Sequence, residues 1–267
     1  MPRPSEAEVE QRRQEILSYV MERGDVRIDR LSERFGVSLM TVHRDLDELA
    51  ERKLLRKLRG RVEAYPALTI ETAKRFRETE NVGVKEALAK VAQHEVTPGQ
   101  TVFLDDSTTL FPLARKLIGP QVVITNSLEV ARILADADGI EVHLLGGRYT
   151  DFDSCVGPDT LSALGRMRAD VGFVSATAVA VGRLYHPDRE YAELKTAALR
   201  VCDRNVLVVD HSKFGRTATY AYGDVSDYDL VITDEEAPGD ELAAMDTKVR
   251  LAKWRGPRVD DHGGAQL

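Results

Sequence analysis

The hydrophobic and polar residues of the chain follow two different patterns, and the change comes near Pro66. Before this residue, Val42, Leu46 and Leu49 recur at helical spacing and form one apolar stripe on a helix predicted from Leu39 to about residue 53. After about residue 98, short β-branched segments alternate with helical ones. This alternation predicts an α/β fold with a doubly wound, mostly parallel sheet in the C-terminal part.

The N-terminal part is predicted to contain three helices and a hairpin. The first helix covers residues 8–22, and the second runs from Asp29 to Phe35 with Asp29 as its N-cap. A turn at residues 36–38 ends in Ser38, which is a good N-cap for the third helix. Residues 54–65 predict two short strands around Gly60-Arg61. This order is that of a winged helix-turn-helix, joined by a helix to the C-terminal part.

The C-terminal strands and helices are bounded by turn residues. The predicted strands are Thr101–Leu104, Val122–Thr125, Glu141–Leu145, Val171–Ser175, Val206–Val209 and Leu230–Thr233, with helices at Leu128–Ala137 and Ala192–Cys202 among them. Residues 69–93 predict a polar connecting helix. The predicted domains are residues 1–66, a linker helix at 67–93, a ligand-binding domain at 94–258 and a disordered tail at 259–267.

The composition narrows the class of protein. Among 267 residues, 43% are hydrophobic and 30% are charged, which is typical of a soluble globular chain and excludes disordered and fibrous classes. No apolar stretch is long enough to span a bilayer, and the charged first residues predict no signal peptide. Two cysteines, Cys155 and Cys202, exclude a disulfide scaffold and a four-cysteine metal site. The chain is therefore expected to be cytoplasmic.

The charge is unevenly distributed along the chain. The net charge is −7, but residues 1–66 hold 14 Lys/Arg against 13 Asp/Glu, whereas the rest holds 23 against 31. Residues 52–61 carry six basic side chains and no acidic one. A basic stripe of this kind can bind a phosphate backbone. It is also compatible with a solvated helix end, where basic residues favour the helix dipole.

The helical arrangement changes the balance between these two interpretations. The polar side of an amphipathic third helix can enter the major groove of DNA while its apolar stripe is buried. Basic side chains of the hairpin would then contact phosphates. The predicted DNA-binding residues are Ser38, Met40, Thr41, His43, Arg44, Lys53, Arg56, Lys57, Arg59 and Arg61. The alternative is a small helical bundle with a charged, solvated face.

Polar clusters follow several predicted strands of the C-terminal part. Ligands of open parallel sheets bind outside the carboxyl ends of the strands, where hydroxyl and backbone N–H groups can hold a phosphate. The candidates for such a site are Asp105, Ser107, Thr108, Thr109, Thr125, Asn126, Ser127, Gly146, Gly147, Ser175, Ala176, Asp210 and Lys213. Structural alternatives exist: Asn126 with Glu129 fits a capping box, the threonines fit caps, and the glycine pair fits a turn.

Other chemistry is poorly represented. The chain contains no dinucleotide-binding or P-loop glycine motif and no nucleophile elbow, and its six histidines lack metal-ligand spacing. No metal or cofactor is therefore predicted. A sugar-phosphate isomerase with Asp105, Asp210 or Lys213 as its base is the alternative function.

Two groups of motifs resemble a known family. The run from Arg30 to Ser38, followed by Thr-Val-His-Arg-Asp-Leu at residues 41–46, resembles the helix-turn-helix of DeoR-type transcriptional regulators. His43 stands where that family usually has Arg. The segments at residues 105–109, 125–126, 146–147 and 210–215 resemble the family's C-terminal sensor domain, which is similar to ribose-5-phosphate isomerases; Ser107 replaces its usual Gly.

The resemblance covers residues 9 to 254 or so, and implies a function. It adds Lys195, which matches a common lysine of the family, to the effector-binding candidates. It implies a transcriptional regulator, most simply a repressor of a carbohydrate-metabolism operon, with no enzymatic activity. The implied partners are double-stranded operator DNA and a phosphorylated sugar or related metabolite. Because one wing and one helix make few contacts, a homo-oligomer (a dimer or tetramer) is also expected.

Overall fold

A computed structural model of the protein describes residues 6–51, 54–63 and 77–254. The chain forms two compact units, Met1–Glu80 and Asn81–Leu267. Three of the predictions fall outside the described residues: Lys53, the part of the predicted connecting helix before residue 77, and the tail at 259–267. Within the described ranges, no helix is both long enough and apolar enough to cross a membrane.

The N-terminal unit is a winged helix, as predicted. Its elements in chain order are α1 (Glu6–Arg23), β1 (Asp25–Arg27), α2 (Ile28–Phe35), α3 (Leu39–Glu51), β2 (Arg56–Leu58) and β3 (Arg61–Glu63). The three strands form an antiparallel sheet in the order β1-β3-β2. Strand β1 was not predicted, because three residues are too short to show an alternating pattern.

The core of this unit confirms the stripe on the third helix. Val42, Leu46 and Leu49 of α3 are fully buried and belong to one apolar cluster with residues of the other helices and of the hairpin. The predicted N-cap at Asp29 is wrong. Helix α2 begins one residue earlier, after Arg27, and the Asp29 carboxylate pairs with the Arg27 side chain instead.

A buried carboxylate joins α1 to α3. Asp45 is 2% exposed and lies on the buried side of α3. Its carboxylate oxygens lie 2.7 Å from Arg12 Nε and 3.1 Å from Arg13 Nε. The acidic residue of the Arg-Asp-Leu run therefore holds the helices together, and it does not belong to the exposed face of α3.

Replacing Asp45 with alanine is expected to destabilise the N-terminal unit by about 2–3 kcal/mol. This loss of folding free energy is smaller than the ~3–5 kcal/mol typical of a fully buried ion pair, because water still reaches part of both arginines. Hydrogen exchange of the backbone amides in residues 6–63 measures it. Asp47→Ala is the matched control on the same helix, since Asp47 is exposed and, among the described residues, pairs with Lys57 at the surface. Equal effects of both substitutions would contradict the role of Asp45.

The C-terminal unit is built on a central sheet with helices. Its helices are α4 (Val82–Ala92), α5 (Phe111–Ala114), α6 (Leu128–Leu134), α7 (Pro158–Leu164), α8 (Arg189–Val201) and α9 (Gly239–Ala243). The strands of the central sheet are β4 (Thr101–Leu104), β5 (Gln121–Thr125), β6 (Ile140–Leu144), β9 (Val171–Val174), β12 (Asn205–Val208), β14 (Leu230–Asp234) and β15 (Val249–Ala252). Two smaller sheets contain β7 (Arg148–Thr150) with β8 (Ser154–Val156), and β10 (Ala178–Ala180) with β11 (Arg183–His186) and β13 (Tyr220–Asp224).

The central sheet is parallel throughout and has the order β15-β14-β12-β9-β4-β5-β6. The chain first adds strands on one side of β4 and then, from β9 onwards, on the other side. The order therefore reverses between β4 and β9, which is the switch point at which open α/β sheets place their ligand crevice. All six predicted strands are confirmed within a residue or two, as is the doubly wound fold.

Helices cover both faces of this sheet. One apolar cluster contains residues of α4, α5 and α6, and a second contains residues of α7 and α8 together with the small antiparallel sheet. Val84 and Leu88 of α4 pack with Leu230 and Ile232 of β14 in the first cluster. From residue 82 onwards, the predicted connecting helix is therefore a packed element of the C-terminal unit, because its apolar face needs a partner.

Candidate functional site

The exposed face of α3 carries the residues predicted to read DNA. Met40, His43 and Arg44 are exposed, and Thr41 is half-buried. Ser38 accepts a hydrogen bond from the Thr41 backbone N–H at 3.2 Å, so its side chain caps the helix. Arg44 and its exposed neighbours Met40 and His43 are therefore accessible to the base edges of DNA. Ser38 caps the helix in addition to its predicted contact with DNA.

The basic stripe is partly neutralised within the unit. Lys57 lies 2.5 Å from Asp47, Arg61 lies 2.5 Å from Asp25, and Arg56 pairs with Glu63. Arg59 is exposed at the turn of the β2–β3 hairpin. The predicted phosphate contacts of the paired residues therefore compete with surface ion pairs, which are worth little in water.

In the C-terminal unit, a buried ion pair lies at the switch point of the sheet. Asp105, which follows β4, is 1% exposed, and Lys195 of α8 is 5% exposed. The Lys195 ammonium donates to the Asp105 carboxylate at 2.5 Å and to the Ser175 carbonyl at 2.9 Å. Asp105 also accepts from the backbone N–H groups of Ser175 and Ser107, each at 2.9 Å. Asp105 thus connects the ends of β4 and β9.

A second charged group lies at the end of β12. Lys213 lies 3.6 Å from the buried carboxylate of Asp210, and Asn81 donates to the same carboxylate at 3.1 Å. Lys85 of α4, 2% exposed, donates to Thr108 at 3.2 Å. Burial raises the pKa of Asp210, but the charges of Lys213 and Lys85 and the hydrogen bonds from Ser212 outweigh it, so the net shift is downward. Asp210 is therefore ionised at neutral pH.

The residues that follow β5 are held by the β7–β8 hairpin. Thr125 accepts from the Ser127 N–H, and the Ser127 side chain caps α6 by accepting from Val130 N at 3.2 Å. Ser127 also forms a β-bridge with Ser154 of β8. The Asn126 side chain donates to the carbonyl of Cys155 at 3.3 Å. Ser127, and not Asn126, is thus the N-cap, and the capping-box interpretation of Asn126 is wrong.

Other predicted site residues are explained by packing. Ala176 belongs to the apolar core, and the Thr109 N–H donates to the Ser107 side chain. Gly147 has φ +141°, and a Cβ there would lie 2.0 Å from Thr160 Oγ1. Gly147 therefore allows the chain to pass close to Thr160, whose hydroxyl donates to the Gly146 carbonyl.

The remaining candidates are linked by contacts. Thr108 and Asp105 share one loop, Lys85 connects that loop electrostatically to Asp210, and the hairpin connects it to β5. These residues lie along one edge of the central sheet, which is formed by the carboxyl ends of its strands. Three fully buried side-chain atoms along this edge have no hydrogen-bond partner within the described part of the chain: Asn126 Oδ1, Ser175 Oγ and Asp210 Oδ2. A buried polar atom without a partner is costly, and a bound ligand with hydrogen-bonding groups would supply the partners that these three atoms lack.

A histidine beside this edge has two acidic neighbours. His211 Nδ1 lies 2.8 Å from Asp234, and its Nε2 lies 3.6 Å from Glu236. The three residues offer ligand atoms within 4.8 Å of one another. The two ring nitrogens face different carboxylates, however, and Asp234 already accepts from the His211 backbone N–H. The geometry is that of a hydrogen-bonded clamp between the ends of β12 and β14.

Several residues of this edge were missed from the sequence. Lys85 stands in a helix where a lysine usually faces solvent, and its burial follows only from the packing of α4. Asn81, Ser154 and Tyr191 are brought in from segments far apart in the chain. Asp106 lies in the segment at residues 105–109, but it was not among the predicted ligand-binding residues. No local pattern in the sequence identifies these residues as neighbours of the site.

The two units together define a class of protein: a DNA-reading winged helix linked to an α/β unit with a polar, lysine-bearing edge. Residues 12–66 match the family of DeoR-like helix-turn-helix domains, and residues 80–235 match the DeoR C terminal sensor domain. The chain belongs to the DeoR family of transcriptional regulators.

Relatives of known name agree with this assignment. The chain is 30% identical to an uncharacterized HTH-type transcriptional regulator, YgbI, of Escherichia coli K12, over 91% of this chain and 98% of the relative. It is 32% identical to the glycerol-3-phosphate regulon repressor of the same organism, over 85% and 92%. Ribose 5-phosphate isomerase A from Neisseria gonorrhoeae is similar at 15% identity, over 49% of this chain and 52% of the other, with a TM-score of 0.36.

Proposed function

We propose that the protein is a repressor of a carbohydrate-metabolism operon, and that a phosphorylated sugar bound by the C-terminal unit changes its affinity for the operator. The observation that carries this proposal is the group of three lysines at the switch point of the sheet, together with three buried atoms that have no hydrogen-bond partner among the described residues. The names of relatives, which include a glycerol-3-phosphate regulon repressor and a putative aga operon repressor, support it.

The lysines favour an anionic ligand. Lys195 is committed to Asp105, so it fixes the loop and is not the main phosphate ligand. Lys85 and Lys213 flank Thr108 and Asp210, and their charges lie at the end of the site nearer to α4. A phosphate at this end would accept charge-assisted hydrogen bonds from both ammonium groups.

The start of α4 supports a route from the site to the DNA-binding unit. Asn81 is the first residue of the C-terminal unit and follows Glu80 of the N-terminal unit directly. Its backbone is left-handed, with φ 54°, and its side chain holds the Asp210 carboxylate. A ligand that binds next to Asp210 would act on this hydrogen bond. We propose that the ligand favours one arrangement of this junction, which is what a change in operator affinity requires.

The rest of the proposal concerns partners. The operator is double-stranded DNA, contacted by α3 and the hairpin, and the working form is a homo-oligomer in the cytoplasm.

An isomerase is the second candidate function, and the site supports it less well. The Asp105 oxygens accept from Lys195, Ser175 and Ser107, which leaves this carboxylate poorly placed to take a substrate proton. Incubation with aldose phosphates is expected to give no turnover.

Arg44→Ala is expected to weaken operator binding about 5- to 150-fold, since a good bidentate base contact is worth ~1–3 kcal/mol. Arg44 is exposed on the face of α3 that carries Met40. Fluorescence anisotropy at fixed salt, with a duplex selected from a random library, measures the affinity. Arg115→Ala, an exposed arginine of the C-terminal unit, is the matched control. Unchanged operator affinity in the Arg44 variant would exclude α3 as the recognition helix.

A further inference from the structure

Asp106 lies next to the buried Asp105 but in a different setting. Whereas Asp105 is buried in its ion pair with Lys195, the Asp106 side chain is half-exposed. Its carboxylate accepts a hydrogen bond from Ser154 Oγ of β8 at 3.0 Å. Asp106 is thus held against the β7–β8 hairpin at the β5 side of the site, while Lys85 and Lys213 lie with Thr108 and Asp210.

A chain of hydroxyl groups fixes the direction of this carboxylate. The Tyr191 hydroxyl lies 2.7 Å from Ser154 Oγ and 2.5 Å from Thr150 Oγ1. Burial and then the charge of Asp106 raise the pKa of Tyr191 well above its ordinary value, so the phenol keeps its proton and acts as a donor. Ser154 in turn donates to Asp106. Tyr191 and Ser154 are therefore positioning residues, and Asp106 is the group they hold.

The two ends of the site consequently differ in chemistry. The end with Lys85 and Lys213 is suited to a dianionic phosphate. The end with Asp106 presents carboxylate oxygens, which accept hydrogen bonds from vicinal hydroxyl groups and repel a second carboxylate. A ligand that spans the site therefore needs a phosphate at one end and neutral hydroxyl groups at the other.

We infer that Asp106 is a specificity-determining residue, and that the effector is a phosphorylated polyol or aldose and not a phosphorylated sugar acid. This inference rests on the proposed function, because it assumes that the phosphate binds at the lysine end. The Asp106 carboxylate, which Ser154 and Tyr191 orient, is then the group that repels the carboxylate of a sugar acid.

The experiment compares two matched pairs of probes by isothermal titration: sorbitol 6-phosphate with 6-phosphogluconate, and glycerol 3-phosphate with 3-phosphoglycerate. Within each pair, an alcohol group replaces a carboxylate. The wild-type protein is expected to bind the alcohol of at least one pair about tenfold or more tightly than the acid. Asp106→Asn is expected to narrow this ratio to about threefold or less, mainly by tightening the binding of the acid.

Asp159→Asn removes an equal charge from the exposed first turn of α7 and is expected to leave the ratio unchanged. Asp106→Ser replaces the same carboxylate with a smaller side chain and serves as a second variant. The ratio of alcohol binding to acid binding in the wild type is measured without any substitution, so it does not depend on the folding of the variants. Equal binding of alcohol and acid by the wild type, or an unchanged ratio in both Asp106 variants, would overturn the inference and leave the proposed sensor intact. No binding of any probe, or of inorganic phosphate, would overturn the proposed function as well.

Discussion

Replacing Lys195 with alanine is expected to destabilise the C-terminal unit by about 3–5 kcal/mol, which is typical of a buried ion pair that loses one partner. The substitution leaves the almost fully buried Asp105 carboxyl group with backbone N–H groups as its only donors among the described residues. It also removes a donor from the Ser175 carbonyl. Because Asp105 joins the ends of β4 and β9, the loss falls on the centre of the sheet.

Urea denaturation followed by circular dichroism measures the change. Lys248→Ala, which removes an exposed lysine of the same unit, is expected to change stability by less than about 0.5 kcal/mol. The double variant Asp105→Asn/Lys195→Met removes both charges and should be less destabilised than Lys195→Ala alone, since no unpaired charge remains buried. A single variant as stable as the wild type would mean that the two charges are not buried together.

Lys213→Ala is expected to weaken effector binding about 10- to 150-fold, because a hydrogen bond to a charged group contributes ~1.5–3 kcal/mol. Lys213 lies close to the Asp210 carboxylate, and its positive charge, like that of Lys85, lowers the pKa of Asp210. The charge of Lys213 makes the largest contribution that lowers the pKa of the buried Asp210, so the variant combines the loss of a phosphate ligand with a rise in the pKa of Asp210.

A thermal-shift screen of phosphorylated sugars, followed by titration of the best one, measures this effect. Lys248→Ala serves as the control again, since it removes the same charge away from the site. If Lys213→Ala keeps the full thermal response, the lysine does not contact the ligand, and the phosphate end of the site must be placed elsewhere.

The sequence predicted most of the framework because its patterns are local. The stripe of Val42, Leu46 and Leu49 and the six predicted strands of the central sheet depend on local patterns of apolar residues, which the chain shows clearly. Helix α2 shows the limit of this approach. Asp29 has the chemistry of an N-cap, but the chain enters the helix directly from β1, so the cap position falls on Arg27.

The candidate site was predicted less completely because its contacts join distant segments. The clusters after β4, β5, β9 and β12 were recognised as one edge, since parallel strands place their carboxyl ends together. The roles within it were not. Asp105 was a candidate for binding the ligand, yet its oxygens accept hydrogen bonds from Lys195 and from backbone N–H groups. Lys85 and Tyr191 reach the edge only through the packing of α4 and α8, which no local pattern records.

We propose that a metabolite bound at the lysine-bearing edge controls the affinity of the winged helix for DNA. The most direct test is to titrate the selected operator duplex at fixed salt, with and without saturating effector, in the wild type and in Lys213→Ala. We expect a change of about 5- to 150-fold in the operator affinity of the wild type. In the variant, this change is expected to be smaller at the same effector concentration, because the effector binds more weakly, and the effector-free operator affinity is expected to be preserved. An operator affinity of the wild type that no phosphorylated sugar alters would exclude control by this class of effector.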